Sequence, residues 1–458
     1  MDARDFVNDL LERAPGQGAW AVAPAEVDFA RLRTEVADLE RRLAFHGIGA
    51  GSTVMVRMRP SLTLLWIVLA LWRLNAQVLL VDPRLSTAEG QRIVDLCRPQ
   101  YHIRSNGFGT IVNQFTPECE IVVASLDGEP AAGEHCLVQF SSGSTGHPKV
   151  IGRTADSLHA ELDRFARMPL MPGPGDRLLL LSSLTHSFGL IGGVLHALAS
   201  GATLVFGSRP HATALIDLAK RTDVTAIFGA PVHFDLLSRV SAELPSLRLA
   251  VSAGEALRPA TYDAFRAQFG VPLGTAYGMT EVGIIATDLD GRYGPPAVGT
   301  PAHGVRVEVR DGELYVDVGA SPYLIADKPG RVVDGWLRTY DLASIDPDTG
   351  VISIRGRADS MVTIGGLKVD LTEVESVLLG HERVTEAVVV YGDAIEAHVG
   401  TSGHVDPAEL LGWCRQSLST FKVPRRLYVH HALPRTVNGK LIRNAELLRA
   451  AAAKESDS

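Results

Sequence analysis

Residues 140–150 read FSSGSTGHPKV, a set of groups that suits a polyphosphate. Gly143 and Gly146 let backbone N–H groups turn toward a ligand. Ser142, Ser144 and Thr145 add hydroxyl donors, and Lys149 adds a positive charge. The spacing is not that of a Walker loop. GxxxxGK[ST] begun at Gly143 needs glycine where Pro148 stands and a hydroxyl where Val150 stands. Pro148 disfavours helical geometry at His147, so the loop is expected not to enter a helix before Lys149. A Ser/Gly-rich surface turn shares this composition.

Four later stretches also carry groups that could do chemistry. Residues 274–283 read GTAYGMTEVG. Tyr277 could stack on a base, Thr280 could hold a phosphate oxygen and Glu281 could hold Mg²⁺. Residues 336–343 read WLRTYDLA, in which Asp341 could accept both hydrogen bonds of a ribose diol, or close a turn. Residues 356–375 read GRADSMVTIGGLKVDLTEVE, with Arg357, a possible hinge at Asp359 and the pair Gly365–Gly366; a hairpin leading into a helix would read the same way. Residues 434–443 read PRTVNGKLIR, where Asn438–Gly439 marks a tight turn with Lys440 at its edge. A solvated surface lysine is the plain alternative there.

The elements that must position these groups alternate along the chain. Phe29, Leu32, Val36, Leu39 and Leu43 fall at helical spacing. A strand is expected over 52–58 and a helix over 61–76. The alternation returns in strands at 177–182, 202–206 and 226–228 and in helices at 191–199 and 214–221. Buried strands between helices imply parallel sheets covered on both faces. From about residue 305, short alternating runs (VRVEV, GELYVDV, VISIRGR) point to antiparallel structure. A compact α+β segment follows residue 359 and ends in a polar tail expected to fray. The fold class read from this is α/β: a large N-terminal domain, 1–358, of stacked α/β sheets plus a β-rich subdomain, and a small mobile α+β domain, 359–458.

Composition narrows the classes of function. A chain of 458 residues buries a large core, and a net charge of −8 gives no basic footprint for nucleic acid. Cys97, Cys119, Cys136 and Cys414 form no CxxC pair and read as buried thiols of a reducing compartment. The start, MDARDF, lacks the pattern of a signal peptide, and the apolar run 62–72 is too short to span a bilayer. The cytosol is the expected compartment, with no membrane partner.

Taken in order, the five stretches resemble the adenylate-forming (ANL) superfamily: acyl- and aryl-CoA ligases, stand-alone adenylation domains and luciferases. The resemblance covers roughly residue 138 to the end. It rests on the SSGSTGHPK loop, the YGxTE segment at Tyr277–Glu281, the TxD segment at Thr339–Asp341, the GRxD hinge at Gly356–Asp359 and the NGK lysine, Lys440. It implies that a carboxylate attacks the α-phosphate of Mg·ATP, giving an acyl-adenylate and pyrophosphate. The small domain then rotates, and a thiol, from CoA or a phosphopantetheine carrier, takes the acyl group. The implied roles follow the motifs. Lys440 serves the carboxylate and α-phosphate, Thr280 the α-phosphate and Glu281 the Mg²⁺. Ser142, Gly143, Ser144, Thr145, Gly146 and Lys149 hold the β- and γ-phosphates. Tyr277, Gly278 and Gly254–Glu255–Ala256 frame adenine, while Asp341 and Arg357 hold the ribose. Gly365 and Gly366 line the thiol tunnel, and Asp359 is the hinge. Two positions depart from the pattern: Tyr340 replaces a usual glycine between Thr339 and Asp341, and Val150 replaces one after Lys149.

In this resemblance the acid pocket lies near SLTHSFGLIGG. Relatives that activate amino acids place an aspartate there, whereas residues 182–193 hold no acidic side chain. A buried ammonium would be left unpaired. The expected acid therefore lacks an α-amine and is aryl, or short to medium acyl. Candidate pocket residues are His186, which fits the HxxG of acyl-CoA ligases, together with Phe188, Ala230, Ser252 and Ala276. Three functions stay in view: a CoA ligase, a stand-alone enzyme loading an acyl carrier protein in secondary metabolism, and a nucleotide-binding homologue of altered activity. The presence of both Lys149 and Lys440 argues against the third.

Overall fold

The computed structural model describes residues 1–14, 18–106, 115–141, 148–207, 211–325, 330–364, 367–418, 420–436 and 439–456. They form two compact units. The first is Met1–Glu308, Tyr315–Arg338 and Ile345–Ser353, and the second is Val309–Leu314, Thr339–Ser344 and Ile354–Ser458.

The first unit contains two large sheets. In one, strand Thr53–Arg57 lies parallel to both Gln77–Leu80 and Tyr101–Ser105. The edges turn antiparallel, with Ile121–Ser125 on Tyr101–Ser105 and Lys149–Thr154 on His135–Ser141. In the other, Ala226–Gly229 lies parallel to Arg177–Leu180 and to Leu249–Ala253, which in turn pairs parallel with Leu273–Met279. Gly283–Asp288 then returns antiparallel. The central strands are buried along their length, as expected of sheets covered on both faces.

The helices follow the apolar spacing. Phe29–Phe45 buries Phe29, Leu32, Val36, Leu39 and Leu43, and Asp28 caps it by accepting from Arg31 N. Leu62–Arg73 is buried throughout residues 62–72 and is capped by Ser61. It is a core helix, and among the described residues no helix is long and apolar enough to cross a membrane. The helix expected over 191–199 differs. A π-helix runs Phe188–Leu195 and passes into an α-helix, His196–Ser200. Its glycines permit contacts that a side chain would block: a Cβ on Gly189 would stand 2.1 Å from Ser183 O, and one on Gly193 2.7 Å from Leu180.

In the second unit, Val384–Tyr391 pairs antiparallel with Ile395–Thr401, which pairs parallel with Arg426–His430. Val374 and Leu378 of helix Leu371–Leu379 and Leu410 and Cys414 of helix Pro407–Ser417 fill its core. The tail expected to fray is, as far as it is described, the end of a helix, Ala445–Ser456. Alanine favours helix, Leu448 is fully buried, and Arg449 reaches the buried carboxylate of Glu396. All four cysteines are free. Cys136 and Cys414 are buried, but Cys97 and Cys119 are only half-buried.

Candidate active site

The parallel strands of the second sheet end on one edge, the edge at which open α/β sheets place ligands. Ala230 follows strand Ala226–Gly229, and Gly254, Glu255 and Ala256 follow Leu249–Ala253. Ala276, Tyr277 and Gly278 end Leu273–Met279, and Thr280 and Glu281 make the turn into Gly283–Asp288. The turn is tight: Val282 N donates to Met279 O, and a Cβ on Gly278 would stand 2.4 Å from Gly283 O. Gly254 has φ +92, a conformation that favours glycine.

Residues 142–147 lie outside the described residues, so Ser142, Gly143, Ser144, Thr145 and Gly146 are not placed. Lys149 opens a strand, in line with the bias that Pro148 sets. Its ammonium stands 3.9 Å from Glu281 Oε1 and 5.6 Å from the ring centre of Tyr323. The Tyr323 hydroxyl donates to Glu281 Oε1 at 2.8 Å, and Arg331 Nε donates to that hydroxyl at 3.1 Å. Arg331 Nη2 also lies 3.9 Å from Glu281 Oε1. Glu281 is 7% exposed and Arg331 4%, so the charges are paired inside the protein. Burial, and then the Glu281 charge, push the Tyr323 phenol well above its ordinary pKa. A second buried pair braces the same region. Arg153 Nη2 donates to Glu161 Oε2 at 2.7 Å, and Glu161 Oε1 accepts from Ile284 N at 3.1 Å. Gly283 leaves room for it, since a Cβ there would stand 2.2 Å from the Glu161 carboxylate.

Sequence reasoning missed Tyr323 and Arg331. Their partner Glu281 is 42 residues away from Tyr323, and no local spacing marks either one. It also missed Gln139, 1% exposed, on the strand leading into the hydroxyl-rich loop. Ser187 Oγ donates to Gln139 Oε1 at 2.7 Å, and Gln139 Nε2 donates to Thr185 O at 2.9 Å. The pair flanks the half-buried His186, whose carbonyl accepts from Leu190 N at 2.8 Å.

Phe188 stacks on Phe228, with ring centres 5.2 Å apart at 27°. Phe228, Val251, Ala253 and Ala276 belong to the core against which Phe188 packs. Alternation along strand Leu249–Ala253 puts Ser252 on the other face, with Ala250, which packs in the helix-covered second core. The structure therefore brings Phe188 and Ala276 to one face of the sheet and the Ser252 side chain to the opposite one. Ala230 N donates to His233 Nδ1 at 2.9 Å, and burial lowers the His233 pKa to about 4.

The second unit holds the remaining candidates. Arg357 Nη1 donates to Asp341 Oδ1 at 3.1 Å, and Asp341 is 8% exposed. Thr339 Oγ1 donates to Leu314 O and accepts from Asp341 N. Between them Tyr340 has φ +65, the left-handed conformation in which glycine is at ease. Asp359 lies in the short 3₁₀ turn Ala358–Ser360, and its side chain is outside the described set. Gly365 and Gly366 also lie outside the described residues.

Lys440 follows Gly439, at φ +83, and is exposed. The turn closes through Gly439 N to Thr436 O at 2.9 Å and Thr436 N to Lys440 O at 2.6 Å. Arginines grip both of its legs. Arg435 donates to Gly439 O and to Glu386. Arg443 makes a two-toothed pair with Glu375, which also accepts from Val389 N at 2.8 Å.

The family model described as AMP-binding enzyme matches residues 11–330, and the one described as AMP-binding enzyme C-terminal domain matches 373–440. The p-hydroxybenzoic acid–AMP ligase FadD22 of Mycobacterium tuberculosis is 30% identical over 95% of this chain and 68% of its own length. A 4-chlorobenzoate–CoA ligase of an Arthrobacter species is 28% identical over 93% of this chain and 91% of its own. In fold, the chain matches an anthranilate CoA ligase, AuaEII, solved with anthranoyl-AMP, at TM-score 0.81 and 23% identity over the full length of both. ATP-bound MatB from Rhodopseudomonas palustris matches at TM-score 0.83 and 21% identity, over 98% of this chain and 99% of that one. With the two family models matched over 11–330 and 373–440, the chain belongs to the AMP-binding enzymes of the adenylate-forming superfamily and is an AMP-forming acid–thiol ligase.

Proposed function

We propose that the acid activated is an aryl carboxylic acid without an α-amine, and that CoA accepts it. The observation that carries this is the Phe188–Phe228 stack, on the same sheet face as Ala276, beside a segment 182–193 with no carboxylate. An apolar, aromatic wall of this kind suits a ring and offers nothing to an ammonium. The relatives named for p-hydroxybenzoic acid and 4-chlorobenzoate support the same class.

The residue roles follow from charge. Adenylation joins two anions, so the protein must neutralise them and hold the attack in line. Lys440 stabilises charge at the carboxylate and α-phosphate, and Thr280 donates to that phosphate. Ser142, Ser144, Thr145 and the backbone of Gly143 and Gly146, with Lys149, take the β- and γ-phosphates. Tyr277, Gly278 and the Gly254–Glu255–Ala256 backbone frame adenine. Arg357 and Asp341, already bonded to each other, hold the ribose. Glu281 suits Mg²⁺. It offers a hard carboxylate oxygen, and Mg²⁺ takes one or two carboxylates together with substrate phosphates, whose charge Lys149 beside it would share. An ion held by Glu281 would supply neutralisation of phosphate charge. His186 stands at the carboxylate end of the acid pocket. The small domain, 359–458, turns about Asp359 between the half-reactions, and Gly365–Gly366 lines the path of the thiol.

A pyrophosphate-release panel over carboxylic acids, with and without CoA, tests this. Benzoate-like acids should outpace every proteinogenic amino acid, and CoA should raise turnover. A proteinogenic amino acid as best substrate overturns the aryl reading. Turnover indifferent to CoA but raised by a phosphopantetheinylated carrier moves the acceptor to a carrier protein.

A further inference from the structure

Tyr323 touches both halves of the phosphate side at once. Its backbone segment lies along the strand that leaves the hydroxyl-rich loop: Gly152 N donates to Pro322 O at 2.9 Å, Leu324 N donates to Val150 O at 3.0 Å, and Tyr323 sits opposite Ile151. The approach needs Gly152, because a Cβ there would stand 2.6 Å from the His135 ring and 2.7 Å from Leu324. The Tyr323 ring lies beneath the Lys149 ammonium, and its hydroxyl donates to Glu281. Arg331, donating to the same hydroxyl, fixes the direction of that bond, since an oxygen that accepts from an arginine gives its own proton to the carboxylate.

We propose that Tyr323, oriented by Arg331, is a positioning residue for acid activation: it holds the Glu281 carboxylate and the Lys149 ammonium where Mg·ATP meets them. Three donors converge on one buried carboxylate, Tyr323 by hydrogen bond and Lys149 and Arg331 by charge. A carboxylate held this way keeps one orientation before the nucleotide arrives. Without the phenol, Glu281 can close on one of the two cations that now stand 3.9 Å away and turn from the other. Partners of this kind, one bond removed from a metal ligand, commonly account for ~10–100-fold in metal affinity. The inference rests on the proposed role of Glu281 toward Mg·ATP.

Tyr323→Phe keeps the ring and the backbone clip and removes only the hydroxyl. The Mg²⁺ concentration for half-maximal ATP–pyrophosphate exchange should rise about tenfold, with the KM for the acid unchanged. Calorimetry supplies a readout without turnover. The Kd for ATP measured with Mg²⁺ should weaken about tenfold, while the Kd measured with EDTA should hold. Glu281→Gln separates the two layers. If Glu281→Gln shifts the Mg²⁺ dependence and Tyr323→Phe does not, the positioning role is overturned and the role of Glu281 stands. If Glu281→Gln leaves the Mg²⁺ dependence unchanged, the role of Glu281 itself falls. If Tyr323→Phe only lowers the melting temperature, with both Kd values unchanged, Tyr323 is a structural residue and the proposal is wrong.

Discussion

Lys149 and Lys440 are built in opposite ways. The Lys149 side chain is 18% exposed and belongs to a buried set with Glu281, Tyr323 and Arg331, fixed by strand pairing on one side and a tight turn on the other. Lys440 is exposed on a turn, and its ammonium makes no ion pair among the described residues. What is fixed there is the base of the turn, through Arg435–Glu386 and Arg443–Glu375. In its proposed role Lys149 meets bound phosphates, and such a cation can be paired in advance with groups that the nucleotide then shares. In its proposed role Lys440 serves only one of two half-reactions, and such a cation does better on a rigid mount without an ion pair that would have to break each time. Rigidity is thus placed at the side chain in one case and in the backbone below it in the other.

The largest test of the contrast is Lys440→Ala. It should cut acyl-adenylate formation by at least ~10²–10³, as loss of one preorganised donor does, and affect transfer from preformed adenylate far less. Single-turnover assays of each half-reaction check this. Equal loss in both would mean that Lys440 is not confined to adenylation. Next in size is Asp359→Pro, which fixes φ near −65° and restricts Ala358 before it. Adenylation should survive and thioester formation should fall. Unimpaired thioester formation would break the picture of a domain turning about this residue.

Arg443→Lys tests the mount without touching the cation it carries. Lysine keeps the charge but cannot make the two-toothed pair with Glu375. Adenylation should fall about tenfold, in keeping with the loss of one charge-assisted hydrogen bond. Placed on Lys440→Ala it should cost nothing further. Additive losses would show that Arg443 acts on its own account and not through the lysine turn.

Protonation sharpens the comparison from another side. The second unit buries His398 and His430, with Nδ1 of the first 3.1 Å from Nε2 of the second. Burial first, then His430 and Arg449, lower the His398 pKa to about 4 against the pull of Glu396. Burial also lowers His430, opposed by Glu455. An unfolded histidine titrates near 6.5. Above that value neither state binds the proton and stability is full. As pH falls from 6.5 toward about 4, the unfolded chain takes protons that the folded chain refuses, and stability declines. His196 and His233 of the first unit, each lowered to about 4 by burial, act in the same direction. Urea midpoints should therefore drop over this window, and His398→Phe should make the drop shallower without abolishing it. An unchanged slope would remove the imidazole pair from the account.

How far the sequence reached follows from how locally each feature is encoded. The helix Leu62–Arg73 was legible because burial on every side needs an unbroken apolar run. The turns that carry Tyr277, Glu281 and Lys440 were legible because each has a glycine within the same few residues. Tyr323, Arg331 and Gln139 were not, since each acts on a group brought close only by strand pairing or packing. The helix expected at 191–199 overlaps the π-helix Phe188–Leu195, whose apolar residues satisfy either winding. Ser252 was placed in the pocket from the segment it belongs to, and the segment alone does not say which face of the strand a residue takes.

Tyr340 gives the smallest test and the most local one. The backbone there keeps the left-handed turn for which the resembling sequences use glycine, and Thr339 and Asp341 are bonded across it. A side chain in that conformation costs roughly 1–2 kcal/mol. Replacing it with glycine relieves this, but glycine loses more freedom on folding, by roughly 0.5–1 kcal/mol, and the half-buried ring's contacts go as well. The net change for Tyr340→Gly should be a gain of less than ~1 kcal/mol, read as a small rise in the urea midpoint, with the KM for ATP unchanged. Tyr340→Ala keeps the strain and loses the contacts, so it should be less stable than both. If the alanine variant equals the glycine variant, strain at 340 is not what sets stability there. The Arg357–Asp341 pair, and not relief at 340, would then be the main hold on the turn.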